Sequence, residues 1–249
     1  MEGAMINSTI KYTKLSSTRT EGVKINTVVL TNSVKTTINS TVVTLLHRGA
    51  SVHYTIEEDG TIVRHHLETD RVFTSGSSSW HGKGPVDDFA VTIMLINDGK
   101  SQYTNAQIDR LIELIKDIND RYGDDVTIVM LSEINKLHVA LGKLFPWHLL
   151  EEAGIVKKIT VPDYISSECT LRPDDENEQV SNLQNNLKTH GYGIEVTGVY
   201  DSSTEHFVNV FRERYTQNES DINCWSDKAG YVLNELGLDN SQPSCEQPL

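Results

Sequence analysis

Side chains able to do chemistry gather near the middle of this chain: His53, His65 and His66, then Trp80 and His81, with Glu133 and His138 further on. Imidazoles and carboxylates are what zinc takes, at about 2.0–2.2 Å and with one position left open for water when the site is catalytic. Nothing in the spacing guarantees such a centre. His53 and His65 can share one side of a hairpin, whereas His66 must face the other, because side chains alternate along a strand. The residues therefore predict no metal, with His53 packed or hydrogen-bonded and His65-His66 a solvated pair. His53, Tyr54, Trp80 and His81 form a candidate binding groove, in which the two loop residues stack on a sugar ring or plug the rim. Cys169, Cys224 and Cys245 are far apart and odd in number, which gives neither metal spacing nor a complete disulfide framework, and they read as structural or idle thiols.

The elements that must hold these groups follow from hydrophobic period and punctuation. Ile25 to Leu30 is a short β-branched run of the kind found in buried strands. Ile38, Val42, Leu45 and Leu46 keep helical spacing before the basic turn and stop of His47-Arg48-Gly49. Ser51 to Gly60, SVHYTIEEDG, is an alternating strand entering an acidic turn, and Thr61 to His66 returns from it, which predicts a hairpin. Arg71 to Pro85 is a Ser/Gly loop. Phe89 to Ile96 is the central strand. Tyr103 to Tyr122 is a long helix with a Thr104/Gln107 capping box, an apolar face of Ile108, Leu111, Ile112, Ile115 and Tyr122, and Gly123 at its end. Val126 to Leu131 adds a strand and Trp147 to Ala153 a short helix whose tryptophan belongs to the core.

These elements predict an α/β domain with a mixed central sheet flanked by helices, followed by a small all-α module of three helices. The expected organisation is an N-terminal arm over 1–22 carrying no chemistry, the main domain over 23–157, a linker over 158–174, the helical module over 175–239 and a polar tail over 240–249. Ser202 with Glu205 is a second capping box. In the module, Tyr192, Tyr200 and Arg212 either contact a ligand or pack between helices.

With 22 Lys and Arg against 35 Asp and Glu, the formal charge of −13 disfavours nucleic acid as a partner. No apolar run suits a membrane span, and the polar start predicts no secretory signal peptide.

Taken in order, INTVVL, SVHYTIEEDGTI, SWHGKG, VTIMLIND, AQIDRLIELIKDI and GKLFPWHLLEEAGI resemble the type 2 N-acetylmuramoyl-L-alanine amidases, zinc enzymes that share their fold with peptidoglycan-recognition proteins. The stretch from Val180 to Tyr215 resembles the peptidoglycan-binding three-helix module that follows the amidase domain in one subgroup. The resemblance implies hydrolysis of the amide between muramic acid and L-alanine, with zinc polarising the carbonyl and activating water. It also implies where the machinery belongs. Thr31 stands in the slot of the first histidine ligand, Met94 in that of the catalytic glutamate, Leu131 or Met130 in that of the second histidine and Ala140 near that of the acidic ligand. None of these side chains serves zinc or proton transfer usefully.

The sequence thus predicts a catalytically inactive amidase-fold protein that binds peptidoglycan or serves as a structural part, with no cofactor. Its expected setting is a bacteriophage virion, tail- or capsid-associated, meeting the bacterial cell wall, with peptidoglycan or other virion proteins as partners. The first alternative is an active amidase in which His53 and His81, with His65, His66, Glu133 or His138, make a rearranged zinc site. The second is a pure protein–protein assembly module.

Overall fold

The structure, a computed structural model, describes residues 8–9, 15–123, 126–216 and 223–238 and divides into two units, Met1–Lys158 and Ile159–Leu249. The strands of the first unit are β1 (Ser8–Thr9), β2 (Ser16–Thr18), β3 (Thr27–Asn32), β4 (Tyr54–Ile56), β5 (Ile62–Arg64), β6 (Asp70–Val72), β7 (Ala90–Leu95) and β8 (Thr127–Met130). Its helices are α1 (Ile38–Arg48), α2 (Asn105–Tyr122), α3 (Leu131–Ile134) and α4 (Trp147–Glu152). Six strands form one sheet of order β1-β5-β4-β7-β3-β8, mixed because only β4 and β5 pair antiparallel. Every residue of β3 and β7 is buried, as expected of parallel strands at the middle of a sheet.

Local chemistry sets the helix ends. Thr37 caps α1 by accepting from the Ser40 N–H, and Gly49 closes it in the left-handed conformation, where its missing Cβ costs nothing. Thr104 caps α2 by accepting from the Gln107 N–H, but the expected box is only half made. Gln107 turns inward and donates from Nε2 to the carbonyls of Ile56 (2.8 Å) and Ile96 (3.3 Å), buried acceptors that outbid the exposed cap. The buried face of α2 is Ile108, Leu111, Leu114, Ile115 and Ile118, so Ile112 and Tyr122 lie off its centre.

The N-terminal arm is not separate. β1 adds to β5, β2 pairs with β6, and Arg19 reaches into the unit. Its Nε donates to the Glu68 carbonyl (2.9 Å), Nη1 to those of Asp87 (2.8 Å) and Asp88 (2.9 Å), and Nη2 to that of Ala90 (2.7 Å). Burial lowers its pKa and the surrounding acids oppose that shift, so the guanidinium stays charged. A polar, Ser/Thr-rich stretch gives no hydrophobic signal, and this contact was invisible for that reason.

The second unit contains β9 (Cys169–Leu171), α5 (Glu178–His190), α6 (Ser202–Tyr215), β10 (Trp225–Ser226) and α7 (Asp227–Leu238). The three predicted helices are present. The expected linker is partly structure, since β9 pairs antiparallel with β10. Asp201, not Ser202, caps α6, its carboxylate accepting from the Thr204 N–H at 2.8 Å. Tyr192 and Tyr200 are each 1% exposed, and Arg212 is buried with Nη1 donating to the Cys224 carbonyl at 2.6 Å. All three are therefore core groups and not ligand contacts. Residues 239–249, with Cys245 and the expected tail, lie outside the described residues.

Cys169 and Cys224 are joined in a disulfide, which corrects the idle-thiol expectation: the β9–β10 ladder brings Cα atoms 55 positions apart in sequence to 5.6 Å. Closing a loop of that length removes chain entropy from the unfolded unit worth roughly 4 kcal/mol. Reduction by dithiothreitol is expected to lower the denaturant midpoint of the second unit. An unchanged midpoint after verified reduction would refute that.

Candidate functional site

Three of the four positions singled out as machinery slots come together in space. Thr31 pairs across the sheet with Met94, and Leu131 directly follows Met130, the partner of Leu30. All three line a cavity of about 310 Å³ at the C-terminal ends of β3, β7 and β8. One wall is α1, through Thr41, Thr44 and Arg48. The rim is Val34 with Leu137, His138 and Val139, and the three aliphatic side chains there are 55%, 86% and 67% exposed.

Ala140 is held beside this floor by its backbone. Asn32 donates from Nδ2 to the carbonyls of Ala140 and Leu141, each at 3.3 Å, which ties the end of β3 to the segment following α3. Two loops meet there backbone to backbone. A Cβ on Gly142 would lie 2.3 Å from the Gly99 carbonyl oxygen, so glycine is required at a position whose φ is also +97°.

The floor offers zinc no adequate donor set. The Thr31 hydroxyl contacts the Asn32 carbonyl at 3.4 Å, Met94 brings a neutral thioether, and Leu131 and Ala140 bring no side-chain donor. Zinc is held by imidazole, thiolate or carboxylate, and these four residues supply none of them. Among the described residues, no three His, Cys, Asp or Glu side chains are grouped to hold a metal ion.

The histidines of the hairpin do other work. His53 is fully buried. Its Nδ1 accepts the Thr92 N–H at 2.9 Å, which leaves the proton on Nε2 to be donated to the Asp70 carbonyl at 3.1 Å. Arg19 Nη2 lies 3.2 Å from that same Nε2. Desolvation lowers the His53 pKa to about 3, with Arg19 and His66 adding to the shift and the Asp70 hydrogen bond opposing it. His65 Nε2 meets the Thr55 hydroxyl at 2.9 Å; His65 and His66 are 3% and 8% exposed, a buried pair where solvated ones were expected. The sequence expectation failed because both faces of this short hairpin are covered.

A consequence for acid stability follows. The unfolded chain binds a proton at His53 near pH 6.5, whereas the folded chain resists until about pH 3. Between those limits the unfolded state holds more protons, so this group's contribution is full above pH 6.5 and is lost as pH falls, with a slope of up to about 1.4 kcal/mol per pH unit. Exchange of His53 for Gln is expected to flatten the pH dependence of the melting temperature between pH 6 and 4. An unaltered slope would show that another group titrates there.

The expected groove of His53, Tyr54, Trp80 and His81 is not the lining of this cavity. Tyr54 is buried and its hydroxyl donates to Glu68 Oε1 at 2.8 Å. Trp80 is 6% exposed and plugs its loop, bridging to Lys83 while His81 sits edge-on and exposed beside it. Glu133 is buried, and its Oε2 accepts the Met130 N–H at 2.6 Å as a cap on α3. His138 alone of the proposed recruits reaches the cavity, where desolvation and then Arg48 lower its pKa.

Most of the lining went unrecognised, Asn32 and Arg48 among it. Asn32 read only as the end of a strand, and Arg48 only as a basic last turn. A signal for Arg48 was present: Thr41, Thr44 and Arg48 fall at i, i+3 and i+7, one polar stripe along a helix otherwise read for its apolar face.

Comparison with known proteins agrees with this architecture. Residues 9–140 match the family model described as N-acetylmuramoyl-L-alanine amidase. A Rickettsia conorii protein bearing the provisional name N-acetylmuramoyl-L-alanine amidase is 39% identical over 235 residues, 90% of this chain and 88% of that protein. Among solved structures, Escherichia coli AmiD, in complex with anhydro-N-acetylmuramic acid-L-Ala-D-γ-Glu-L-Lys, superposes with a TM-score of 0.71 at 22% identity, covering 90% of this chain and 93% of its own. Pseudomonas aeruginosa AmpDh3 gives 0.71 at 20% identity over 94% and 99%.

Proposed function

The chain belongs to the N-acetylmuramoyl-L-alanine amidase family, and from that premise we propose that it holds peptidoglycan fragments in the β3–β7–β8 groove without zinc hydrolysis. One observation supports the reading: a cavity at the C-terminal ends of β3, β7 and β8 is lined by Thr31, Met94 and Leu131, whose donor chemistry does not suit the metal. The second unit supports it as a wall-binding accessory. Its disulfide fits an oxidising compartment, where a wall-facing protein works. A cell-wall setting is kept on these grounds. A virion setting gains no support from a relative that comes from a bacterium.

A second reading, an active amidase, is favoured by one specific observation, the 39% identity along nearly the whole chain to a relative named as an amidase. Incubation with purified sacculi separates the two. Binding without hydrolysis predicts protein in the sacculus pellet, no peptide released, and zinc far below one equivalent by metal analysis. Peptide release accompanied by stoichiometric zinc would establish the amidase reading instead. Failure to sediment would remove wall binding and favour a protein–protein assembly role.

A further inference from the structure

The disulfide of the second unit is asymmetric. Cys169 is partly exposed on β9, whereas Cys224 is 2% exposed. The buried sulfur has a cation beside it: Arg212, itself 4% exposed, donates from Nη1 to the Cys224 carbonyl at 2.6 Å, and the same nitrogen lies 3.4 Å from Cys224 Sγ. A disulfide exchanges when a thiolate bonds to one sulfur and the other departs as a thiolate, so access selects the sulfur attacked and the stability of the departing thiolate governs the rate. A guanidinium next to a sulfur favours its thiolate. Access and charge therefore select one direction of opening, attack at Cys169 with departure of Cys224. What the bond holds is small. The register pairs Trp225 with Leu171 and Ser226 with Cys169, and the Thr170 hydroxyl donates to the Trp225 carbonyl at 3.1 Å. A two-stranded ribbon is marginal in water by itself. Its paired Leu171 and Trp225 are nonetheless 5% and 7% exposed, and Trp225 packs on Phe211 of α6 with ring centroids 5.4 Å apart.

We propose that the Cys169–Cys224 bond is a site of thiol–disulfide exchange, a clasp opened by a reducing dithiol that attacks Cys169 while Arg212 stabilises the departing Cys224 thiolate. One thiolate of the dithiol bonds to Cys169 Sγ, the bond between the two cysteines breaks, and its electron pair leaves on Cys224 Sγ. The second thiolate of the dithiol then attacks the reductant's own sulfur in the mixed disulfide, which releases Cys169 and closes the reductant's disulfide. Two electrons pass from the dithiol to the protein, and the two protons it gives up go to the cysteine sulfurs or to solvent. β9 is then free to part from β10, and Trp225 loses the strand paired with it.

The test uses the full chain without denaturant, carrying Cys245→Ser so that two cysteines remain. Brief exposure to the monothiol glutathione, an acid quench and peptide mapping should place the mixed disulfide on Cys169 and the free thiol on Cys224. A mixed disulfide found mainly on Cys224 overturns the proposal. The rate of opening by dithiothreitol should fall about five-fold in Arg212→Gln and stay near the parent's in Arg212→Lys. The sign separates this role from a structural one, because loosening a buried position would speed reduction; an unchanged or faster rate in Arg212→Gln removes the part given to Arg212. Where Arg212→Gln fails to fold, the mapping on the parent decides. Opening by reduced thioredoxin assigns the reductant to proteins, opening by dithiothreitol alone assigns it to small dithiols, and opening by neither in the folded chain overturns the proposal. Acrylamide quenching of Trp225, taken as the difference between the parent and Trp225→Phe, should increase on reduction, and unchanged quenching would show that the clasp stays shut without its bond.

Discussion

A variant carrying Thr31→His, Leu131→His and Ala140→Asp takes up one zinc ion per chain, while the parent takes up none at stoichiometric level. This is the expected result if the groove lacks only donors. Thr31 and Met94 are opposite one another in the β3–β7 ladder, Leu131 directly follows β8, and Asn32 fastens Ala140 beside the same floor. Three ligands of the family's chemistry, two imidazoles and a carboxylate, would thus enter positions the fold already brings near one another, and a three-ligand zinc site keeps a fourth position open. Because the ion binds the folded chain and not a preformed unfolded site, zinc at a thousand-fold excess over its dissociation constant adds about 4 kcal/mol to the variant's stability. Thermal denaturation with and without zinc checks this, since the midpoint should rise in the variant and stay fixed in the parent. A parent that itself gains stability from one equivalent of zinc would sink the idea and return weight to the amidase reading.

Exchange of Arg19 for Ala is expected to be the most destabilising single change in the N-terminal segment. The guanidinium serves four carbonyls, those of Glu68, Asp87, Asp88 and Ala90, and its removal leaves them without their donor at the place where β6, the 86–88 turn and β7 meet. Charge-assisted hydrogen bonds contribute about 1.5–3 kcal/mol each, and they do not add within one shared group; a total of about 3–4 kcal/mol is expected. In a domain of this size that lowers the melting temperature by about 10 °C. Arg19→Lys should recover little, because an ammonium on a flexible stem cannot reach acceptors spread around a planar fork. A melting temperature within a degree or two of the parent would show that water replaces the guanidinium without cost.

The residues gave up their local grammar more readily than their long-range partners. Gly49 after a basic turn and Thr104 before an apolar stripe announced the ends of α1 and α2, because a cap is settled by neighbours a few positions away. The order of the segments led to the family and to Thr31, Met94 and Leu131 as companions, and these three line one cavity. What escaped notice was set by distance along the chain. Arg19 acts on carbonyls 49 to 71 positions away, and Cys169 finds Cys224 only through a two-strand ladder. Polar residues with remote partners carry no periodicity, and so the arm looked idle and the cysteines unpaired. The candidate groove was misplaced for a related reason: His53 and Tyr54 have the chemistry of ligands, yet a buried N–H and a buried carboxylate close by had already claimed them, and Trp80 is buried in its own loop.

The position of β3 in the sheet has a bearing on how the chain is made. Its neighbours are β7, in register from Thr27 with Ala90, and β8, in register from Thr27 with Thr127. On the ribosome, β3 therefore emerges long before either partner, and its apolar run waits for β7 until synthesis has passed Leu95 and for β8 until it has passed Met130. The middle of the sheet is assembled last from pieces made far apart, a topology that slows folding and lengthens the interval in which chaperones have work to do. A nascent chain arrested before β8 would still be open to protease along β3, and one arrested after α4 would be protected there.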